Sequence, residues 1–195
     1  MKKIVILQGS PRKGGNTDLL CEEFTRGARE SGHEVEKIYL KDKNIHPCMG
    51  CDYCRSHEGN CVFKDRDDFE EIIQKVIAAD VLVISSPVYF YNLTAQMKTA
   101  IDRFYAREQE VKNKTAYFIT ASAAPTEGYI QTAIAGFRGF ISCFENVTEA
   151  GIIAGCGAAE KGEVKEMAAF QKAYKEGKKI KDHVIGISKQ EKRDI

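Results

Sequence analysis

Hydrophobic residues along this chain fall into two alternating patterns. Ile4-Val5-Ile6-Leu7 and Val81-Leu82-Val83-Ile84 are unbroken apolar runs, each followed by a Ser-Pro turn at Ser10-Pro11 and Ser86-Pro87. Runs without polar alternation suit strands buried on both faces of a parallel sheet. Lys114 to Ala121 and Val147 to Ala154 read as two more strands, and the less regular Val35 to Leu40 as a fifth. Between them the apolar period lengthens to that of a helix. Leu20, Phe24 and Ala28 form the inward face of a helix predicted from about Thr17 to Ser31, with Gly32 at its C-cap. Phe69, Ile72, Ile73, Val76 and Ile77 define a second helix, and Met97, Ile101 and Phe104 a third. A fourth runs to about Phe144, and a last covers about Val164 to Lys179.

Strands alternating with helices predict an α/β fold. With right-handed crossovers, five strands favour the flavodoxin-like order 2-1-3-4-5. The expected architecture is a three-layer sandwich: a five-stranded parallel sheet with helices on both faces. A chain of 195 residues suits one domain, expected over 1–187, with a polar tail at 188–195. Ligands in such sheets sit beyond the carboxyl ends of the strands. That directs attention to the loops after the first, third and fourth strands.

Composition narrows the partners. Lys and Arg (29) nearly cancel Asp and Glu (28), so no general attraction to nucleic acid or an anionic membrane is expected. No apolar run approaches the roughly 20 residues of a membrane span. Ile4 to Leu7 is too short for a signal-peptide core, which places the chain in the cytoplasm as an expectation. In that reducing setting its cysteines are thiols or metal ligands rather than structural disulfides.

The first strand leads into Gln8-Gly9-Ser10-Pro11-Arg12-Lys13-Gly14-Gly15-Asn16-Thr17 and then a helix. Free N–H groups and the positive end of the helix favour a phosphate there. Gly14 and Gly15 permit close approach, Ser10, Asn16 and Thr17 offer hydrogen bonds, and Arg12 offers charge. The bland alternative is a helix start capped by Asn16 or Thr17. A Walker A loop would need Gly-Lys-Ser/Thr, and a dinucleotide fingerprint would need G-x-G-x-x-G; neither is present. The acidic cluster of a receiver domain is also missing from the ends of the first and third strands. A phosphate loop beside an uncharged strand end suits a flavin mononucleotide.

After the third strand, Pro87-Val88-Tyr89-Phe90-Tyr91-Asn92 places three aromatics at the same edge of the sheet. They can wall an isoalloxazine ring or pack the loop onto the next helix. The pattern Gly-Ser-Pro-Arg-x-x-Gly-Asn-Thr, with Ser-Pro-Val-Tyr-Phe-x-Asn and Lys98-x-x-Ile101-Asp102-Arg103, resembles the NADPH-dependent FMN reductase family over roughly residues 3 to 180. The resemblance implies Ser10, Arg12, Asn16 and Thr17 at the FMN phosphate. It implies Pro87, Val88, Tyr89, Phe90 and Asn92 on the ring side, with Ser122 closing the site. It also implies a homodimer.

Cys48, Cys51, Cys54 and Cys61 are spaced C-x2-C-x2-C-x6-C. Four thiolates this close can hold a [4Fe–4S] cluster. They can also hold zinc, with His46 or His57 replacing one ligand, or remain redox-sensitive thiols. The motif resembles that of the iron–sulfur flavoprotein branch of the same superfamily. Cys21, Cys143 and Cys156 read as buried small hydrophobes.

Two functions follow. One is an FMN-dependent oxidoreductase taking electrons from NAD(P)H and passing them to a small acceptor such as a quinone or a flavin. The other is an iron–sulfur electron carrier fed by a ferredoxin-like partner. A flavin-binding sensor without turnover is the blandest reading.

Overall fold

The computed structural model describes residues 1–181, so the expected tail at 188–195 lies outside the described residues. Five strands, β1 (Lys3–Gln8), β2 (Glu34–Tyr39), β3 (Val81–Ser85), β4 (Lys114–Ser122) and β5 (Val147–Cys156), form one parallel sheet. Their order is β2-β1-β3-β4-β5, the flavodoxin-like arrangement. β1 and β3 lie inside the sheet, and their apolar runs are buried on both faces.

The helices are α1 (Asn16–Glu30), α2 (Tyr53–Ser56), α3 (Phe69–Ala78), α4 (Ala95–Arg103), α5 (Gln131–Ser142) and α6 (Ala168–Lys179). One face of the sheet packs α3, α4 and α5 around Phe69, Phe104, Phe118 and Phe137. The other packs α1 and α6 around Leu20, Phe24, Ile6 and Val83. On that second face two glycines bring the helix backbones together. A Cβ on Gly27 would lie 2.2 Å from the Tyr174 carbonyl oxygen, and one on Gly177 2.1 Å from that of Phe24.

Three elements differ from the sequence expectation. The cysteine loop contains the one-turn helix α2. The last helix is preceded by a separate 3-10 turn at Glu163–Glu166, because Met167 is extended (φ −99°, ψ 152°). β5 runs two residues further, pairing Cys156 with Ser122.

Candidate cofactor site

The loop between β1 and α1 is shaped by its own short side chains. The Ser10 amide donates to Gln8 Oε1 (3.0 Å), and the Arg12 amide to Ser10 Oγ (3.2 Å). Gly14 adopts φ +72°, a left-handed backbone that glycine takes without strain, and its N–H reaches Asp18 Oδ2 at 2.7 Å. Asp18 sits in the first turn of α1 and also accepts from Lys37 Nζ (2.6 Å) and Tyr39 OH (3.1 Å) on β2. Burial would raise its carboxyl, but hydrogen bonds from Lys37 and the Gly14 amide, with the Lys37 charge, hold it below the ordinary range. Beneath the loop, Gln8, Ser85 and Cys21 share buried hydrogen bonds, and burial pushes the Cys21 thiol up to about 12. Cys21 is thus an inert packing group, whereas Cys143 is exposed and Cys156 only partly buried, contrary to expectation.

The loop after β3 is tied to the first. Thr94 caps α4 and donates to the Gly9 carbonyl at 2.8 Å. The Val88 amide continues the sheet onto the Ala121 carbonyl at 3.0 Å. Tyr89 and Asn92 pair through both backbone bonds (2.9 and 3.0 Å), closing a two-residue turn at Phe90 and Tyr91. Both turn residues have positive φ, +49° and +66°, a strained conformation for aromatic side chains.

These loops enclose a cavity of about 150 Å³. Its wall includes eight residues anticipated from sequence: Ser10, Arg12, Asn16, Thr17, Pro87, Val88, Tyr89 and Ser122. Arg12 is exposed and its guanidinium has no partner among the described residues. The hydroxyl of Thr17, a buried residue, likewise makes no hydrogen bond among the described residues. Asn16 lines the cavity but its side chain is engaged elsewhere. Its Nδ2 donates to the carbonyls of Ala158 (3.1 Å) and Glu160 (2.8 Å), and its Oδ1 accepts from the Gly162 amide (2.8 Å). It latches α1 to the loop after β5.

Two anticipated residues lie off the cavity wall. Phe90 is fully exposed at the turn tip. Asn92 turns its Oδ1 to the Leu93 amide (2.8 Å) and faces an apolar groove between α4 and α5 instead. Conversely, Lys161 was not anticipated. It lines the cavity from the loop after β5, with Nζ 3.5 Å from the Lys13 carbonyl. The glycines around it, Gly157 and Gly162, signalled a turn but not a cation.

All four motif cysteines line one small cavity, together with Phe63, Arg103 and Tyr105. They are free thiols, with Cys48 and Cys51 exposed. No group of three or more His, Cys, Asp or Glu is gathered for a metal ion among the described residues. His46 stacks on Phe63 (4.6 Å) and His57 on Tyr53 (3.6 Å), so both imidazoles serve packing. The donor set nevertheless fits an iron–sulfur cluster in kind. Four thiols share one cavity, and Arg103, which also lines it, has a buried Nε with no partner among the described residues.

The fold and this edge define a flavodoxin-like protein with a cavity at the start of the first helix. The model of the NADPH-dependent FMN reductase family matches residues 2–134, and the chain belongs to that family. An iron-sulfur flavoprotein of Archaeoglobus fulgidus is 42% identical over 116 residues, covering 58% of this chain and 51% of that one. An iron-sulfur flavoprotein of Methanosarcina thermophila is 32% identical over 133 residues, covering 67% and 68%. The chain spans about half the length of the first curated relatives it matches. Among solved structures, the NAD(P)H:quinone oxidoreductase from Methanothermobacter marburgensis superposes with a TM-score of 0.69 at 20% identity, covering 93% of this chain and 96% of that one. No helix of the described residues is long and apolar enough to cross a membrane.

Proposed function

We propose that the chain is an FMN-dependent oxidoreductase that takes electrons from NAD(P)H and passes them to a small acceptor such as a quinone or a flavin. The observation that carries this reading is the cavity where Arg12, Lys161 and the Thr17 hydroxyl, all without acidic partners among the described residues, meet the Pro87–Tyr89 loop. Arg12 and Lys161 neutralise the FMN phosphate, while Gly15 at the start of α1 lets it approach the helix end. Ser10 and Asp18 keep the loop in its bound shape. Pro87, Val88 and Tyr89 form the wall on the ring side. Bound FMN supplies the redox chemistry, so no side chain need act as acid or base. The family's description and the quinone oxidoreductase among the structural neighbours support this class.

A second reading rests on the four cysteines. Bound there, a [4Fe–4S] cluster supplies one-electron transfer, and the chain becomes an electron carrier for a ferredoxin-like partner. Cys48, Cys51, Cys54 and Cys61 would hold it. We also read the chain as a cytoplasmic homodimer; its seven free cysteines suit a reducing compartment. Protein purified without oxygen is expected to release FMN and to oxidise NAD(P)H steadily with excess quinone. FMN-loaded protein without turnover would refute the enzyme reading. Stoichiometric reduction by ferredoxin in that case would establish the carrier.

A further inference from the structure

Arg103 ends α4, and its side chain is buried beneath the cysteine loop. The guanidinium is 1% exposed and its partner carboxylate, Asp67, is 0% exposed. Asp67 also accepts the amides of His46 (2.9 Å) and Phe69 (3.1 Å). Arg103 Nη1 further donates to the His46 carbonyl at 2.8 Å. The rings of Phe63 and Phe69 lie 5.3 and 5.0 Å from the guanidinium carbon. The group is therefore fixed in place at both ends of the loop segment.

An anchor alone does not account for Nε. A buried N–H without an acceptor costs about 1–3 kcal/mol, and this one belongs to the side chain that lines the cavity of the four cysteines. Arg103 is also the one cation on that wall among the described residues, which carries the acids Asp52 and Asp102. Ligating thiols lose their protons, so the cavity would gain negative charge beside the buried Arg103–Asp67 pair.

We propose that Arg103, held by Asp67, is a positioning residue for the cysteine site: its free Nε–H serves the sulfur ligands of a bound iron–sulfur cluster. This rests on the cluster reading above. Hydrogen bonds to sulfur and nearby positive charge stabilise the more negative, reduced state and raise the potential.

The test uses the full chain, loaded anaerobically with ferrous iron and sulfide. Iron per chain and the midpoint potential, followed by electron paramagnetic resonance, are compared for wild type, Arg103→Lys and Arg103→Met. FMN affinity, governed by the distant phosphate loop, reports that each variant is folded. Arg103→Met is expected to weaken the preference for the reduced state at least tenfold, about 59 mV for one electron. Arg103→Lys keeps a charge for Asp67 but lacks Nε–H, and is expected to fall between. Should Arg103→Met fail to fold, the Arg103→Lys potential decides alone. A wild-type potential in Arg103→Lys with full iron overturns the role given to Nε. A wild-type chain that takes up no iron overturns the cluster reading and this inference together.

Discussion

Asn16 and Arg12 were both expected at the phosphate, yet the structure gives them separable jobs. Asn16 makes three side-chain hydrogen bonds of 2.8–3.1 Å to the 158–162 loop. At roughly 1 kcal/mol each, Asn16→Ala is expected to cost about 2–3 kcal/mol of stability, or roughly 5–10 °C in Tm. It should also weaken FMN indirectly, because the freed loop carries Lys161 away from the cavity. Arg12 is exposed, and its guanidinium has no partner among the described residues. Arg12→Ala should leave the Tm of the FMN-free protein unchanged. It should weaken FMN by one charge-assisted contact, about 1.5–3 kcal/mol, or roughly tenfold to a hundredfold. Thermal melts of the FMN-free proteins and titration of FMN fluorescence quenching measure the two quantities. A double-mutant cycle with Lys161→Ala completes the case. If Asn16 acts through Lys161, its effect on FMN affinity shrinks in the Lys161→Ala background. An Asn16→Ala protein with wild-type Tm, but with FMN weakened fully in both backgrounds, would refute the latch and return Asn16 to the phosphate.

Gly27→Ala should destabilise the protein by about 2 kcal/mol or more in urea unfolding, despite the roughly 1 kcal/mol that alanine gains in a helix, since the new Cβ would meet the Tyr174 carbonyl. Gly32→Ala is the control for free space; its position is open but left-handed, so its cost is conformational only. Asp18 and Asp67 both have carboxyls held below the ordinary 3.8, Asp67 because hydrogen bonds from Arg103 and two amides outweigh burial. Their stabilisation is present above that value and is lost as pH falls through the lower folded values. Unfolding followed from pH 6 to 2 should therefore show a steep acid limb, flattened in Asp67→Asn; an equal slope in the variant would contradict the assignment.

The sheet was legible because its signal is local and dense. Ile4 to Leu7 and Val81 to Ile84 are apolar at every position, and only strands covered on both faces tolerate that. The turn from β1 into α1 is legible for the same reason, its glycines, serine and proline lying close together in the chain. What stayed hidden was set by contacts distant in sequence. Asn16 looks identical as a phosphate ligand and as a latch until the 158–162 loop folds against it, more than 140 residues away. Lys161 reaches the cavity from the loop after β5, where no sequence motif marks its approach. Phe90 lies off the cavity wall for a subtler reason. Its residue type argues for a wall, but the two-residue turn points the tip outward, and turn geometry at consecutive non-glycine positions is not written in the sequence.

Arg103 shows how far such distant contacts reach. In sequence it closes the Lys98–Arg103 pattern and reads as part of a helix end. In the fold its partners are Asp67, His46, Phe63 and Phe69, which flank or belong to the cysteine loop. The same helix begins at Thr94, which bonds to the Gly9 carbonyl of the phosphate loop. α4 therefore has the proposed flavin pocket at its amino end and the cysteine cavity at its carboxyl end. Nine residues at a rise of 1.5 Å place those ends roughly 13 Å apart. A rigid element of that length fixes the separation of the two sites, whatever each of them binds. Electron exchange between them would then depend on a spacing set by packing in the core beneath Met97, Ala100 and Phe104 rather than by either loop.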